Sequence, residues 1–322
     1  MNFTGTTYIT SWHLSWVMKF EILFICIFTI DLIRAYLLSV PYQGYMNQLN
    51  CLYRAAIIAK NTNYTLVIPP LVSIESIPIY HKISNYIRID KTFEGINWIH
   101  LKDLKSTESL YIIMHGRWHN IHMLGSTSFS FLDSYFKNKI LVIKSEIEPN
   151  DDFFLFLEFL RHLNKYLAGY ANLQHVKFGQ KAIYLIQKTR YTSYVKKYIK
   201  ELIHLNVGKS KYEAIHWRRG DFEQACKKNK IYHNCWPKLE KIYEKSSSMA
   251  WILTNSKESE INELKSDGYI ISLNGTINHI YNFFVDVGIM IGAQRFVGNQ
   301  YSSISRNVFH IRNFLNKSCE YF

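Results

Sequence analysis

The stretch AIHWRRGDF, residues 214 to 222, sets a histidine, two arginines, a glycine and an aspartate directly after a strand-like run. Half-buried charge is costly unless something pairs it, so these arginines need either an internal carboxylate or an anionic ligand. If the strand ends near Trp217, His216 and Arg218 stand two apart on an extended chain and point to the same side. The planar fork of Arg218 could then hold two oxygens of a diphosphate and stay charged at every relevant pH. The competing reading pairs Arg218 or Arg219 with Asp221 in a local salt bridge. Arg219-Gly220-Asp221 also spells an adhesion tripeptide, but such triplets recur by chance and this one sits inside a strand-to-loop transition.

The second stretch with chemistry in it is FVGNQYSSISRN, where a strand ending at Gly298 is followed by Ser302, Ser303 and Ser305 at the start of a helix. Hydroxyls and free backbone N–H groups at a helix N-terminus form an anion site. Capping by one serine accounts for any one of them but not for three. Upstream, Asp286 interrupts the apolar helix FFVDVGIMIG, a costly position unless the carboxylate faces a cleft or takes a specific donor. The ring N–H and amino group of a guanine would be such a donor pair.

These residues need elements to hold them. RAYLLSVPYQGYMNQLNCLYRAAIIAKNTNYTLVIPP, from Arg34, parses as strand, loop, helix, strand. The first strand ends at Pro41, Gln43-Gly44-Tyr45 has turn chemistry, and Asn47 can cap a helix whose Leu49, Leu52, Tyr53, Ala56 and Ile57 follow the helical period. Such a βαβ unit binds ligands at the C-terminal end of its strand. Residues 71 to 150 carry few signals. FFLFLEFLRHLNKYLAGYANL and YTSYVKKYIKELIHL have helical periodicity. From about Lys211 the pattern repeats: YEAIHW, AWILTNS and YIISL as strands, CWPKLEKIYEKSS and KESEINELKSDG as helices, then helix, short strand, loop and helix to the end. Both halves alternate strand and helix, which predicts two α/β lobes facing one another across a cleft.

At 322 residues the chain suits one large or two medium domains. Nearly half the residues are apolar, with 23 Tyr, 20 Phe and 7 Trp, against only 6 Pro and 14 Gly, so long disordered linkers are not expected. A net charge of +13 suits an anionic partner without choosing among them. The lysines are spread along the chain with no arginine-rich arm, and no nucleic-acid partner is expected. Five cysteines show no CxxC and no His/Cys zinc spacing, so no metal is expected. Cys226 and Cys235 bracket a loop and could close a disulfide in an oxidising compartment, or stay as two free thiols. Ile22 to Ile30 is an apolar run of nine, short of the roughly 20 that span a bilayer. It compares with a signal-peptide core or a weak anchor over residues 16 to 38, or with a buried element. Asn-x-Ser/Thr sites at Asn2, Asn63, Asn274 and Asn316 are compatible with a secretory route.

Together these pieces resemble the GDP-fucose protein O-fucosyltransferases, especially the fungal-type branch. Pro41 to Pro70 is similar to that family's N-terminal motif, with its Gly-aromatic-x-Asn-Gln loop and Thr-Leu-x-x-Pro-Pro strand. HWRRGDF resembles the signature shared with the α1,2- and α1,6-fucosyltransferases, and FVGNQYSSIS resembles the closing motif. The three occur in the family's order between Arg34 and Asn307, and residues 71 to 200 contribute almost nothing.

The resemblance implies a GT-B fold of two Rossmann-like lobes facing a central cleft, with GDP-fucose bound between them and no metal or other cofactor. No Asp-x-Asp triplet is present, in keeping with this. It implies an N-terminal segment over 1–33, a first lobe over 34–205 and a second, nucleotide-sugar-binding lobe over 206–322. Arg218 would hold the β-phosphate and stabilise departing GDP. His216 and Asp286 would contact the nucleoside, Ser302, Ser303 and Ile304 the diphosphate end, and Gly44 and Asn47 the sugar diphosphate from the opposite lobe. A hydroxyl of a protein or glycan acceptor would attack the anomeric carbon with inversion, in the endoplasmic reticulum or Golgi lumen. Two departures stand out. Gln43 occupies the place where some relatives carry a glutamate as base and cannot take a proton at neutral pH, so the reaction would lean on Arg218, or on Asp221 or Glu223. Ser303 and Ile304 stand where the family often has Thr and Phe. The alternative is a sugar-nucleotide-binding protein that kept the fold and lost catalysis.

Overall fold

The computed structural model describes residues 36–39, 44–62, 64–73, 79–104, 110–115, 140–145, 167–171, 179–220, 222–228, 235–246, 249–272 and 279–322. The apolar run Ile22 to Ile30 lies outside them, as do Gln43, Asp221, Asn63 and Asn274. Among the described residues no helix is long and apolar enough to cross a membrane.

Two parallel sheets account for most of the strands. The first contains β1 (Tyr36–Ser39), β2 (Thr65–Ile68), β5 (Trp98–His100), β6 (Leu110–His115), β7 (Ile140–Ser145) and β8 (Leu167–Ala171), in the order β5-β2-β1-β8-β6-β7. The second contains β9 (Glu213–Trp217), β10 (Ala250–Thr254), β11 (Ile270–Ile271), β12 (Arg295–Gly298) and β13 (Ser318–Tyr321), in the order β11-β10-β9-β12-β13. A hairpin of β3 (Leu71–Val72) and β4 (Tyr80–His81) follows β2, and the side chain of Gln48 fixes it by accepting from the N–H of Val72 and donating to its carbonyl.

Strands buried on both faces read as continuous apolar runs, and β10 is one, with Ala250, Trp251, Ile252 and Leu253 all buried. The helices cover these faces. Helix α1 (Tyr45–Thr62) buries Leu49, Leu52, Tyr53, Ala56 and Ile57, the positions its period predicts. The short α2 (Ile89–Thr92) precedes β5. Between the sheets run α3 (Gly179–Lys188) and α4 (Ser193–Val207), the latter capped by the Thr192 hydroxyl accepting from the N–H of Val195. The second half adds α5 (Phe222–Lys228), α6 (Leu239–Lys245), α7 (Glu258–Ser266), α8 (His279–Gly292) and α9 (Ser303–Phe314).

Several expectations change. The helical reading of residues 153 to 173 fails at its end, where 167–171 is strand β8 between β1 and β6. A short interior strand of a parallel sheet has no alternation, so periodicity alone cannot tell it from a buried helix. Asn47 is not a cap: α1 begins at Tyr45 and the N–H of Asn47 already donates to the carbonyl of Gly44. Residues 36–38 form β1, so an anchor reaching residue 38 conflicts with the sheet. Strand β13 had not been anticipated, although it closes the edge beside β12 over four residue pairs.

Candidate active site

In both sheets the chain starts at an interior strand and winds first to one side and then to the other. In the second sheet β9 is flanked by β10 and β12, so the connections diverge from between β9 and β12. Such a switch point opens a crevice at the C-terminal ends of its two strands. The register pairs Val297 with Ile215, which sets Gly298 beside His216. The two motif stretches are therefore adjacent at the crevice although Gly298 lies 82 positions after His216 in the sequence.

Hydrogen bonds lock them together. Ser305 Oγ lies 2.7 Å from Nδ1 of His216 and accepts the N–H of Asn299 at 3.0 Å. The Asn299 side chain accepts from the N–H of Tyr301 and donates to the carbonyl of Cys235. Gly298 permits the close approach: a Cβ there would meet the Phe296 ring and the Ser305 Cβ at 2.9 Å. His216 is buried, and desolvation followed by the nearby charge of Arg218 pushes its pKa down to about 3. It is a neutral imidazole at any working pH, and Nε2 is the ring nitrogen left to meet a ligand.

The two arginines divide their work. Arg219 is 7% exposed, ion-paired with Glu260, and stacked 3.4 Å from the Trp236 ring centroid. It also donates to the carbonyl of Pro237, as does the indole N–H of Trp217. It is thus paired with Glu260, 41 residues on, while the pairing expected with Asp221 lies outside the described residues. Gly220, at φ +47, completes the turn so close to Asn255 that a Cβ would lie 2.6 Å from its Nδ2. Arg218, half-buried with its guanidinium 5.4 Å from the Phe222 ring, stands past the end of β9 beside His216. Cys226 and Cys235 are joined in a disulfide, which ties α5 to the Cys235–Pro237 strap. That strap touches both motifs, through Asn299 on one side and Trp217 and Arg219 on the other.

Helix α9 begins at the C-terminal end of β12. Ser302 occupies the N-cap position, but its hydroxyl caps nothing. The first-turn N–H groups of Ser303, Ile304 and Ser305 have no acceptor inside the helix, and the positive end of the dipole adds to them. The Ile304 side chain packs against the core, so its N–H is what it offers an anion. Asp286, on α8, accepts from the Ser272 hydroxyl at the end of β11, and burial pushes its pKa up to about 7.

From the first sheet, α1 rises at the C-terminal end of β1. Asn307 on α9 donates to Asn50 Oδ1 at 2.7 Å and contacts the Met46 sulfur, while the Tyr45 and Phe283 rings lie 5.7 Å apart. The N-terminal turn of α1 thereby meets α8 and α9, and Gly44 and Asn47 join the edge of the same region. Among the described residues nothing lies within 4 Å of where a Cβ on Gly44 would stand. Glu223 forms an ion pair with Lys227 at 2.8 Å, which holds its carboxyl below the usual range and makes it a poor proton acceptor. Among the described residues no group of three His, Cys, Asp or Glu side chains is placed to hold a metal ion. Sequence reading passed over Asn299, Ser272, Asn255 and Glu260. Of these only Asn299 carried a signal, because it follows Gly298 inside the quoted motif.

No protein-family model and no curated protein matches the sequence. Solved structures do. A crystal structure of POFUT1 in complex with GDP superposes with a TM-score of 0.70 at 18% identity, covering 90% of this chain and 98% of that one. POFUT1 with GDP-fucose gives 0.69 at 16%, over 90% and 98%. The fucosyltransferase NodZ from Bradyrhizobium gives 0.52 at 12%, over 86% and 91%. The chain has the fold of these fucosyltransferases. Its two parallel sheets, each with a switch point, are the two Rossmann-like lobes of the GT-B arrangement, and the motif residues occupy their facing ends.

Proposed function

We propose that the protein transfers fucose from GDP-fucose to a hydroxyl of a protein or glycan acceptor, with inversion and without a metal ion. The observation that carries this reading is the meeting of Arg218, past the end of β9, with the unspent N-terminal turn of α9, past the end of β12. A fixed cation and a ring of N–H donors at one crevice suit a diphosphate, and they oppose the charge that grows on it as the sugar departs. Arg218 lies on the β-phosphate, and Ser302, Ser303 and the Ile304 N–H hold the diphosphate. His216 offers a neutral Nε2 to the nucleoside, Asp286 accepts the guanine donors, and Gly44 and Asn47 approach the sugar diphosphate from the first lobe.

With Gln43 in the first loop and Glu223 tied to Lys227, departure of GDP runs ahead of deprotonation. The acceptor hydroxyl then attacks a centre already carrying positive charge and needs only a weak base. The same two residues favour one second reading, a nucleotide-sugar-binding protein that does not turn over. The disulfide and the exposed acceptor Asn316 support placement in the endoplasmic reticulum or Golgi lumen. The test is release of GDP from GDP-fucose with a panel of acceptor peptides and glycans. Transfer by the native protein, cut by about 10³-fold or more in Arg218→Ala, is expected from loss of a charge on the leaving group. Tight donor binding without transfer to any acceptor would select the second reading.

A further inference from the structure

The hydroxyl of Ser305 sits where the two motif stretches meet. Ser305 has no exposed surface, so its O–H needs an acceptor inside the protein, and its oxygen already accepts the N–H of Asn299 at 3.0 Å. Among the described residues the acceptor left for the hydroxyl proton is Nδ1 of His216, 2.7 Å away. The opposite arrangement, with a proton on Nδ1 donated to Ser305, would bring two donors to one oxygen and leave the buried hydroxyl proton with no acceptor. Native proteins avoid that state. An imidazolium carries a proton on Nδ1 as well and meets the same objection, in keeping with the depressed pKa of the ring. A neutral imidazole holds one proton, so a bare Nδ1 places it on Nε2. Nε2 has no hydrogen-bond partner among the described residues, yet it is not one of the unpartnered side-chain atoms sealed from solvent. It therefore opens onto the crevice at the C-terminal end of β9, beside Arg218.

We propose that Ser305 is a positioning residue: its hydroxyl donates to Nδ1 of His216 and fixes the ring as the Nε2–H tautomer, so that His216 meets the nucleotide sugar as a hydrogen-bond donor. The ligand in this assignment rests on the reading of GDP-fucose as the substrate, whereas the tautomer is a property of the free protein. The atom facing Nε2 is then an acceptor, an oxygen of the ribose or of the diphosphate, and the ring and Arg218 present donors to it together. In the other tautomer a lone pair on Nε2 would face that oxygen and repel it. The assignment also removes His216 as the base for the acceptor hydroxyl, because Nε2 already bears a proton and Nδ1 is occupied by Ser305. This suits a reaction in which departure of GDP runs ahead of deprotonation.

The test begins with the nitrogen chemical shifts of the His216 ring in the full chain without ligand, assigned through the His216 backbone. A proton-bearing Nε2 with a bare Nδ1 is expected, and a proton on Nδ1 would overturn the proposal whatever the protein binds. The same spectrum of Ser305→Ala should show the single tautomer giving way to a mixture that includes the Nδ1–H form. Its affinity for GDP by calorimetric titration should fall about 2- to 10-fold, the value of one hydrogen bond. A hydroxyl that served packing alone would lower stability or affinity and leave the tautomer unchanged, which would also overturn the proposal. Should Ser305→Ala not fold, the native spectrum decides by itself. If the native ring is the Nε2–H form but no GDP binds, the positioning role stands and the reading of GDP-fucose as substrate has failed.

Discussion

On the second-lobe side of the cleft, Asn299 and Ser305 tie the end of β12 to His216 on β9, and the strap through Cys235 and Pro237 clasps both from outside. On the first-lobe side, Gly44 immediately precedes α1 and Asn47 lies in its opening turn. The side proposed to take the nucleotide is thus held together by its own groups. Among the described residues the first-lobe side contributes the opening turn of α1, which the proposed function sets against the sugar and the acceptor. Preorganised donors do not have to be ordered at the moment of reaction, so binding energy should concentrate on the second lobe and selectivity for the acceptor on the first.

The sharpest way to break this picture is to exchange the fates of the neighbouring arginines. Arg219→Ala leaves Glu260 without its cation and removes the stack on Trp236, and should cost about 3–5 kcal/mol of stability by thermal or denaturant unfolding. Arg218→Ala should unfold within about 0.5–1 kcal/mol of the native protein while losing nucleotide affinity. A reversed pattern would mean that Arg218 is the structural residue and that the anion site has been misplaced.

Next in size is a split between the lobes. Ser303→Ala should weaken GDP by about 10- to 100-fold, the value of one hydrogen bond to a charged group. Asn47→Ala should leave GDP affinity near native and lower the rate of transfer, measured as kcat with saturating donor. Equal effects of the two on GDP would erase the distinction between the lobes.

The smallest effect is in pH. Asp286 must be ionised to accept guanine donors, and its pKa is raised to about 7 by burial. Affinity for GDP-fucose, whose diphosphate has no group titrating near neutrality, should therefore rise with pH through 7, by about tenfold between pH 6 and pH 8. The ligand-free protein should behave oppositely. The folded state retains a proton that the unfolded carboxyl gives up near pH 4, so Asp286 favours folding less as pH rises from about 4 to 7. Asp286→Asn should flatten both profiles, and a pH dependence that survives it belongs to another group.

What could be read from sequence was the local chemistry. Arg218, Ser302 and Ser303 predict an anion site by residue type and by position relative to a strand or helix end, the structure sets those two ends side by side, and the apolar period of α1 places its buried face. What could not be read was set by contacts distant in sequence. Nothing near Arg219 points to Glu260, and nothing near His216 to Ser305. Strand β8 reads as helix because a short interior strand of a parallel sheet lacks alternation, and Ser318–Tyr321 carries no strand signal because it gains its partner only when β12 is in place.

The central claim is that the second lobe holds a guanosine diphosphate through Arg218 with no metal ion. Calorimetric titration of the protein with GDP-fucose, GDP and UDP, with and without a chelator, measures it directly. Both guanine ligands should bind, UDP should bind at least about tenfold more weakly, the chelator should change nothing, and Arg218→Ala should weaken the guanine ligands. Equal binding of UDP, loss of binding with chelator, or an Arg218→Ala protein with native affinity would contradict it.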